Sequence, residues 1–219
     1  MHCSPNVTRY DGALSRMRRW RALGASGTTV WLTGLPSSGK STIGAAIEAR
    51  LVDRGLPAYL LDGDELRHGI CGDLAFSRTD REENVRRVGE LARLFADSGV
   101  IAIAAVVSPY EHTRREVRER HERDGLPFFE VFVDTPVAIC AQRDPKGLYA
   151  RAFAGELAGL TGIDDPYEPP RFPDLHVTPE LTVAGAVNAV LELLLAQGVG
   201  TRSPPRPRMS SGFRALGAA

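Results

Sequence analysis

Two hydrophobic patterns alternate along this chain. TTVWLT (28–33), PAYLL (57–61), VIAIAAVV (100–107) and FFEVFVD (128–134) are short runs, apolar nearly throughout, as in strands covered on both faces. Between them, apolar residues recur every three or four positions. GKSTIGAAIEARLVDRG (39–55) puts Ile43, Ala46, Ile47 and Leu51 on one stripe before a glycine stop, and DREENVRRVGELARLFADSG (80–99) aligns Val85, Val88, Leu91, Leu94 and Phe95. A charged helix is predicted near 111–123 and an apolar one near 183–197, with a loop-rich stretch over 143–180. Strands alternating with helices predict a parallel sheet with right-handed crossovers, and ligands then sit outside the carboxyl ends of the strands. Gly34, Asp62 with Asp64, Ser108 and Asp134 fall at the four predicted strand ends. Residues 1–26 read as a basic N-terminal arm, either a short helix or loose chain, residues 27–197 as the domain, and the Pro/Arg/Ser-rich 198–219 as a disordered tail.

Composition narrows the functional classes. Lys+Arg and Asp+Glu are both 27, so a zero net charge gives no support for a nucleic-acid or membrane partner. The longest apolar run is too short to span a bilayer, and no apolar stretch follows the N-terminal arginines, so a cytoplasmic location is expected. Cys3, Cys71 and Cys140 show no C-x-x-C spacing, which argues against a disulfide framework or zinc site. The five histidines show no H-x-x-x-H pattern; His68 lies in a motif loop and the rest are expected to be solvated. Of the 27 basic residues only Lys40 and Lys146 are lysines. Where arginine has taken almost every positive position, a surviving lysine marks a site that needs a compact ammonium.

One of the two lies in GLPSSGKS (34–41), a full G-x-x-x-x-G-K-[ST] match between a predicted strand and a predicted helix. Its backbone N–H groups wrap an anion, the Lys40 ammonium reaches the β- and γ-phosphates, and the Ser41 hydroxyl serves a Mg²⁺ ion. Gly34, Leu35, Pro36, Ser37, Ser38, Gly39, Lys40, Ser41 and Thr42 are thus the candidate ATP-binding residues. The expected fold is α/β: a P-loop NTPase-type parallel β-sheet flanked by helices on both faces, in a single domain with a lid over about 144–170. Asp62 and Asp64 alternate along a segment expected to be extended just past the second strand, on either side of Gly63. Beside a P-loop such a pair can support Mg²⁺ and accept the proton of an attacking hydroxyl; helix capping is the alternative reading.

From Gly34 onward the chain resembles the adenylyl-sulfate (APS) kinase family. The resemblance is carried by LDGDELRHGI (61–70), FSRTDREENVRRVGELA (76–92), SPY (108–110), FFEVFVDTP (128–136), DPKGLY (144–149) and TGIDDPYEPP (161–170). It implies transfer of the ATP γ-phosphate to the 3′-hydroxyl of adenosine 5′-phosphosulfate, with Mg²⁺ as cofactor. It implies Asp64 as general base and Asp62 as its metal-side partner. Arg67, Arg81 and Asn84 match residues that hold the phosphosulfate and ribose, and Phe76 a ring that stacks on the acceptor adenine. Val107 and Ser108 match a backbone contact, Lys146 a lid lysine, and Gly159 and Leu160 the remaining acceptor side. Asp134, ending the fourth strand, and Arg143, near the ATP adenine side, are weaker candidates. Ser108 is the family's candidate phosphoserine, although in-line transfer between two nucleotides needs no such intermediate. The resemblance also implies a homodimer and a separate ATP sulfurylase upstream.

The chain departs from the family pattern at Ala150 and Phe153, where bases are usual, at Leu160, where phenylalanine is usual, and at Ala75 and Glu65. Those changes leave the phosphate ligands intact and bear on acceptor binding. They keep open a P-loop kinase for a different small-molecule acceptor, and, as a non-enzyme alternative, a nucleotide-sensing partner protein.

Overall fold

The computed structural model describes residues 14–199. The expected tail over 198–219 and residue Cys3 therefore lie almost wholly, and wholly, outside the described residues. The first helix, α1 (Arg16–Leu23), is docked: Arg16 and Arg19 pair with Asp97, and Trp20 Nε1 donates to the Asp97 carbonyl at 3.1 Å. This end of the N-terminal arm is thus a packed helix.

Five parallel strands form one sheet in the order β2-β3-β1-β4-β5. They are β1 (Thr28–Thr33), β2 (Ala58–Asp62), β3 (Ile101–Ala105), β4 (Phe128–Val133) and β5 (Leu175–Val177). Every residue of β1, β3 and β4 is buried, as their unbroken apolar runs predict. Side chains alternate between the two faces. Val30, Leu32, Ile101, Ile103 and Ala105 pack with α2 (Lys40–Asp53) and α8 (Val183–Ala196), while Trp31, Ala102 and Ala104 face α4 (Arg78–Ser98) and α5 (Glu111–Arg123).

The long helix α4 is well delimited. Ser77 Oγ accepts from Asp80 N at 3.2 Å at its start, and Gly99 closes it at φ 107°. Val85 and Val88 are buried, but Leu94 is 55 % exposed, so the apolar face runs instead through Ala92 and Ala96. Small alanines let the helix lie close on the sheet.

Four elements and one side chain depart from the sequence expectations. The segment after Asp62 is a short helix, α3 (Gly63–Arg67), rather than extended chain. The stretch 143–180, expected to be loop-rich, contains α7 (Leu148–Phe153) and β5, and an unexpected helix, α6 (Val137–Arg143), leads into it. His121 is fully buried rather than solvated, its ring nitrogens 2.9 Å from Thr29 Oγ1 and 2.8 Å from the Val117 carbonyl. Burial lowers its pKa. Cys71 and Cys140 are free and buried. Among the described residues no helix is long and apolar enough to cross a membrane.

Candidate active site

The carboxyl ends of the strands open into a cleft of about 920 Å³. At its floor, the turn after β1 wraps back on itself to start α2. Gly34 has φ 154°, and a Cβ there would stand 2.5 Å from the Val133 carbonyl oxygen, so only glycine fits between the loop and β4. Lys40 is buried, and its Nζ donates to the carbonyls of Gly34 (3.0 Å) and Leu35 (2.7 Å) and to Ser38 Oγ (3.3 Å). Burial pulls its pKa down to about 8, against the opposing pull of nearby Cys140, Asp62 and Asp64. Arg143 Nη1 and Thr135 Oγ1 both donate to the Ser38 carbonyl, at 3.0 and 2.9 Å, and fix the loop from α6 and from the segment after β4. Tyr149 of α7 donates to the Pro36 carbonyl at 3.0 Å.

The predicted residues Pro36 to Thr42 and Arg143 line the cleft. Gly34 and Leu35 do not: Gly34 is the turn behind it, and Leu35 packs with Cys140, Tyr149 and Leu160.

Opposite the loop, every predicted acceptor residue lines the same cleft. Asp62 Oδ1 accepts from Asp64 N at 2.9 Å and so caps α3, the alternative reading of the pair, while both carboxylates remain in the cleft wall. Asp64 pairs with Lys146, the two side chains 64 and 52 % exposed. Sequence reasoning directs Lys146 to the acceptor; here it meets Asp64. Arg67 donates to the Leu74 and Ala75 carbonyls, both at 3.1 Å, and lies 4.3 Å above the Phe76 ring. That ring is 62 % exposed, so Phe76 is not a core residue. Arg81 is buried, donating to the carbonyls of Phe76 (2.9 Å) and Gly159 (2.6 Å) and pairing with Asp165 at 3.3 Å.

Two expectations change in kind. Leu160 is buried in a small apolar cluster with Cys140 and Tyr149, so it meets the cleft as a packed wall rather than as a free platform. Ser108 is 2 % exposed at φ 42°, its hydroxyl accepting from Trp31 Nε1 (3.1 Å) and donating to Thr33 Oγ1 (2.9 Å). A phosphoryl group on that oxygen would remove the proton it donates to Thr33 Oγ1. The geometry makes Ser108 a structural tie and gives no support to a phosphoserine.

The sequence reading missed several wall residues. Thr178, Pro179 and Leu181, between β5 and α8, and Val183, the first residue of α8, also line the cleft. Thr161 is fully buried, and its Oγ1, like Asn84 Oδ1, has no hydrogen-bond partner among the described residues. Buried polar atoms of this kind are commonly satisfied by a ligand or water; an orphaned hydroxyl leaves no mark in sequence.

A phosphate-binding turn after the central strand of a sheet in this order, with carboxylates and arginines facing it, is the framework of the P-loop kinases. The family model described as adenylylsulphate kinase matches residues 26–178, and the chain belongs to that family. It is 49 % identical over 189 residues to the adenylyl-sulfate kinase of Enterobacter sp. (strain 638), covering 86 % of this chain and 93 % of the relative. The Yersinia pestis adenylyl-sulfate kinase is 46 % identical over 194 residues, with 89 and 90 % covered. Among solved structures, the Mycobacterium tuberculosis APS kinase in complex with AMPPNP and APS is similar at a TM-score of 0.76 and 47 % identity, covering 78 % of this chain and 99 % of that one.

Proposed function

We infer that this chain transfers the γ-phosphate of ATP to the 3′-hydroxyl of adenosine 5′-phosphosulfate, giving ADP and 3′-phosphoadenylyl sulfate. One observation carries the reading: a single cleft holds the phosphate loop at one end and Phe76, Arg67, Arg81 and Asn84 at the other, with Asp62 and Asp64 between. That arrangement suits two nucleotides meeting over a pair of carboxylates, in a chain of this family.

On the donor side, loop N–H groups and Lys40 hold the phosphates. Lys40 exchanges its bonds to the Gly34 and Leu35 carbonyls for phosphate oxygens, a charge-assisted replacement. On the acceptor side, Phe76 stacks on the adenine, and the arginines face the phosphosulfate. Asp64 accepts the proton of the 3′-hydroxyl, and its exposed pair with Lys146 is weak enough to open when the acceptor arrives. Lys146 then turns to the acceptor phosphate.

The donor set fits Mg²⁺. Ser41 and Asp62 bring hard oxygens to the cleft wall, and Asp62 Oδ2 takes no part in the helix cap. Among the described residues no group of three His, Cys, Asp or Glu forms an all-protein cage, which matches an ion held by one or two protein oxygens and by substrate phosphates. When bound, the ion neutralises charge on the transferring phosphate.

Locating the label after incubation of the protein with adenylyl sulfate, Mg²⁺ and γ-labelled ATP tests the reading. Label at the 3′ position is expected; label released only as inorganic phosphate overturns it.

A further inference from the structure

A chain of buried hydrogen bonds crosses under the cleft, and the direction of each bond follows from counting protons. Thr33 Oγ1, at the last residue of β1, donates to the Val107 carbonyl at 2.8 Å. Its single proton is then used, so it accepts from both Ser108 Oγ at 2.9 Å and the Tyr167 hydroxyl at 2.9 Å. Ser108 Oγ in turn accepts from Trp31 Nε1 at 3.1 Å. All three hydroxyls are satisfied in one consistent arrangement. It ties the residue before the phosphate loop to the Val107–Ser108 turn and to Tyr167 of the lid segment.

A second brace grips the same turn from the opposite side. Arg114 of α5 is 2 % exposed and uses three edges of its guanidinium on three separate segments. Nε donates to Glu130 Oε1 of β4, Nη1 to the Ser108 carbonyl and Nη2 to the Glu168 carbonyl, each at 2.7 Å. The turn and the lid are also joined directly. Glu168 N donates to the Pro109 carbonyl at 2.8 Å, and Glu168 Oε2 accepts from Glu111 N at 2.7 Å. Ser108 needs holding because it is a non-glycine residue at positive φ, a strained conformation that persists only where its surroundings enforce it.

We propose that Tyr167 and Arg114 are positioning residues that lock the Val107–Ser108 turn to the base of the lid, so that the acceptor wall and the lid move as one body. Neither residue lines the cleft. Both act through Ser108 and Val107, which do. Lysine cannot replace Arg114, because only a planar fork reaches three acceptors in fixed directions.

The proposal rests on the phosphotransfer reading above, and two variants with two readouts separate their failures. Tyr167→Phe removes one hydroxyl and keeps the ring. Arg114→Met alone would strand the Glu130 carboxylate, so Arg114→Met with Glu130→Met is used, since replacing both partners of a buried pair by apolar groups is often tolerated. In both variants the KM for adenylyl sulfate should rise about tenfold, within the hundredfold that a displaced binding group can cost, while the KM for ATP stays at the wild-type value. Amide exchange at Glu168 and Glu111 should accelerate, and exchange within α2 should not. A parallel rise in both KM values, or unchanged exchange at Glu168 and Glu111, overturns the proposal. If the wild-type protein does not turn over adenylyl sulfate, the phosphotransfer reading fails, and the exchange rates alone decide whether Tyr167 and Arg114 couple the two segments.

Discussion

The two ends of the cleft are built from different materials. At the donor end the cleft is closed by one continuous turn, packed so tightly on β4 that it leaves no room for a Cβ at Gly34. Carbonyls of that same turn position Lys40. At the acceptor end the wall is assembled from residues on α3, α4, the turn after β3 and the 144–170 segment. Several are exposed and held only by rings or ion pairs, as with Phe76 under Arg67 and Lys146 against Asp64. A turn made of backbone tolerates little change in sequence or shape. A wall made of side chains can be retuned one residue at a time, which is where this chain carries Leu160; Ala150 and Phe153, in α7, do not line the cleft.

The largest effect expected from this division is at the carboxylate between the ends. Asp64→Asn should slow the chemical step about 10²–10⁴-fold in single-turnover experiments with ATP affinity unchanged. Turnover near wild type at saturating substrates would remove Asp64 from the mechanism. Next, Phe76→Ala should weaken acceptor binding by about 1–3 kcal/mol, roughly fivefold to a hundredfold, leaving the donor end untouched. An equal loss of ATP affinity would show that the two ends are not separable.

At the donor end, pH should act through Lys40. Burial lowers its pKa to about 8, so its charged form is lost as pH rises through that value. Phosphate binding needs the charged form. ATP affinity should therefore fall about tenfold between pH 7 and pH 9, and a flat profile over that range would contradict the burial argument.

The smallest effect concerns Thr161, whose buried hydroxyl has no protein partner among the described residues. Thr161→Val should stabilise the fold by about 1 kcal/mol yet raise the acceptor KM roughly fivefold. Opposite signs would mark a hydroxyl held for a ligand; loss of stability would mean it is satisfied within the protein.

The same division explains what was legible in the sequence. Thr28–Thr33 and the turn after it could be read residue by residue, because a buried parallel strand and a phosphate loop each impose a local pattern. The short elements could not. β5 has three residues, and Cys140 alone is buried in α6, too few positions for a period to show. α3 hid because Asp62 both ends a strand and caps a helix. The resemblance placed the acceptor residues on the cleft wall but not their partners: nothing local tells that Arg81 meets Gly159 and Asp165, or that Lys146 meets Asp64. His121 and Arg114 sit in a helix that reads as mostly charged, and their burial depends on partners outside it: Thr29, 92 residues from His121, and Glu130 and Ser108, 16 and 6 residues from Arg114.

The most direct measurement of the central claim is an acceptor panel: kcat/KM with ATP and Mg²⁺ for adenylyl sulfate, AMP, gluconate and shikimate under identical conditions. An acceptor end built around Phe76 and two arginines predicts strong preference for adenylyl sulfate, with AMP poor because it lacks the sulfate and the two acids poor because they have no base to stack. Equal or better turnover of any of the other three would contradict the account.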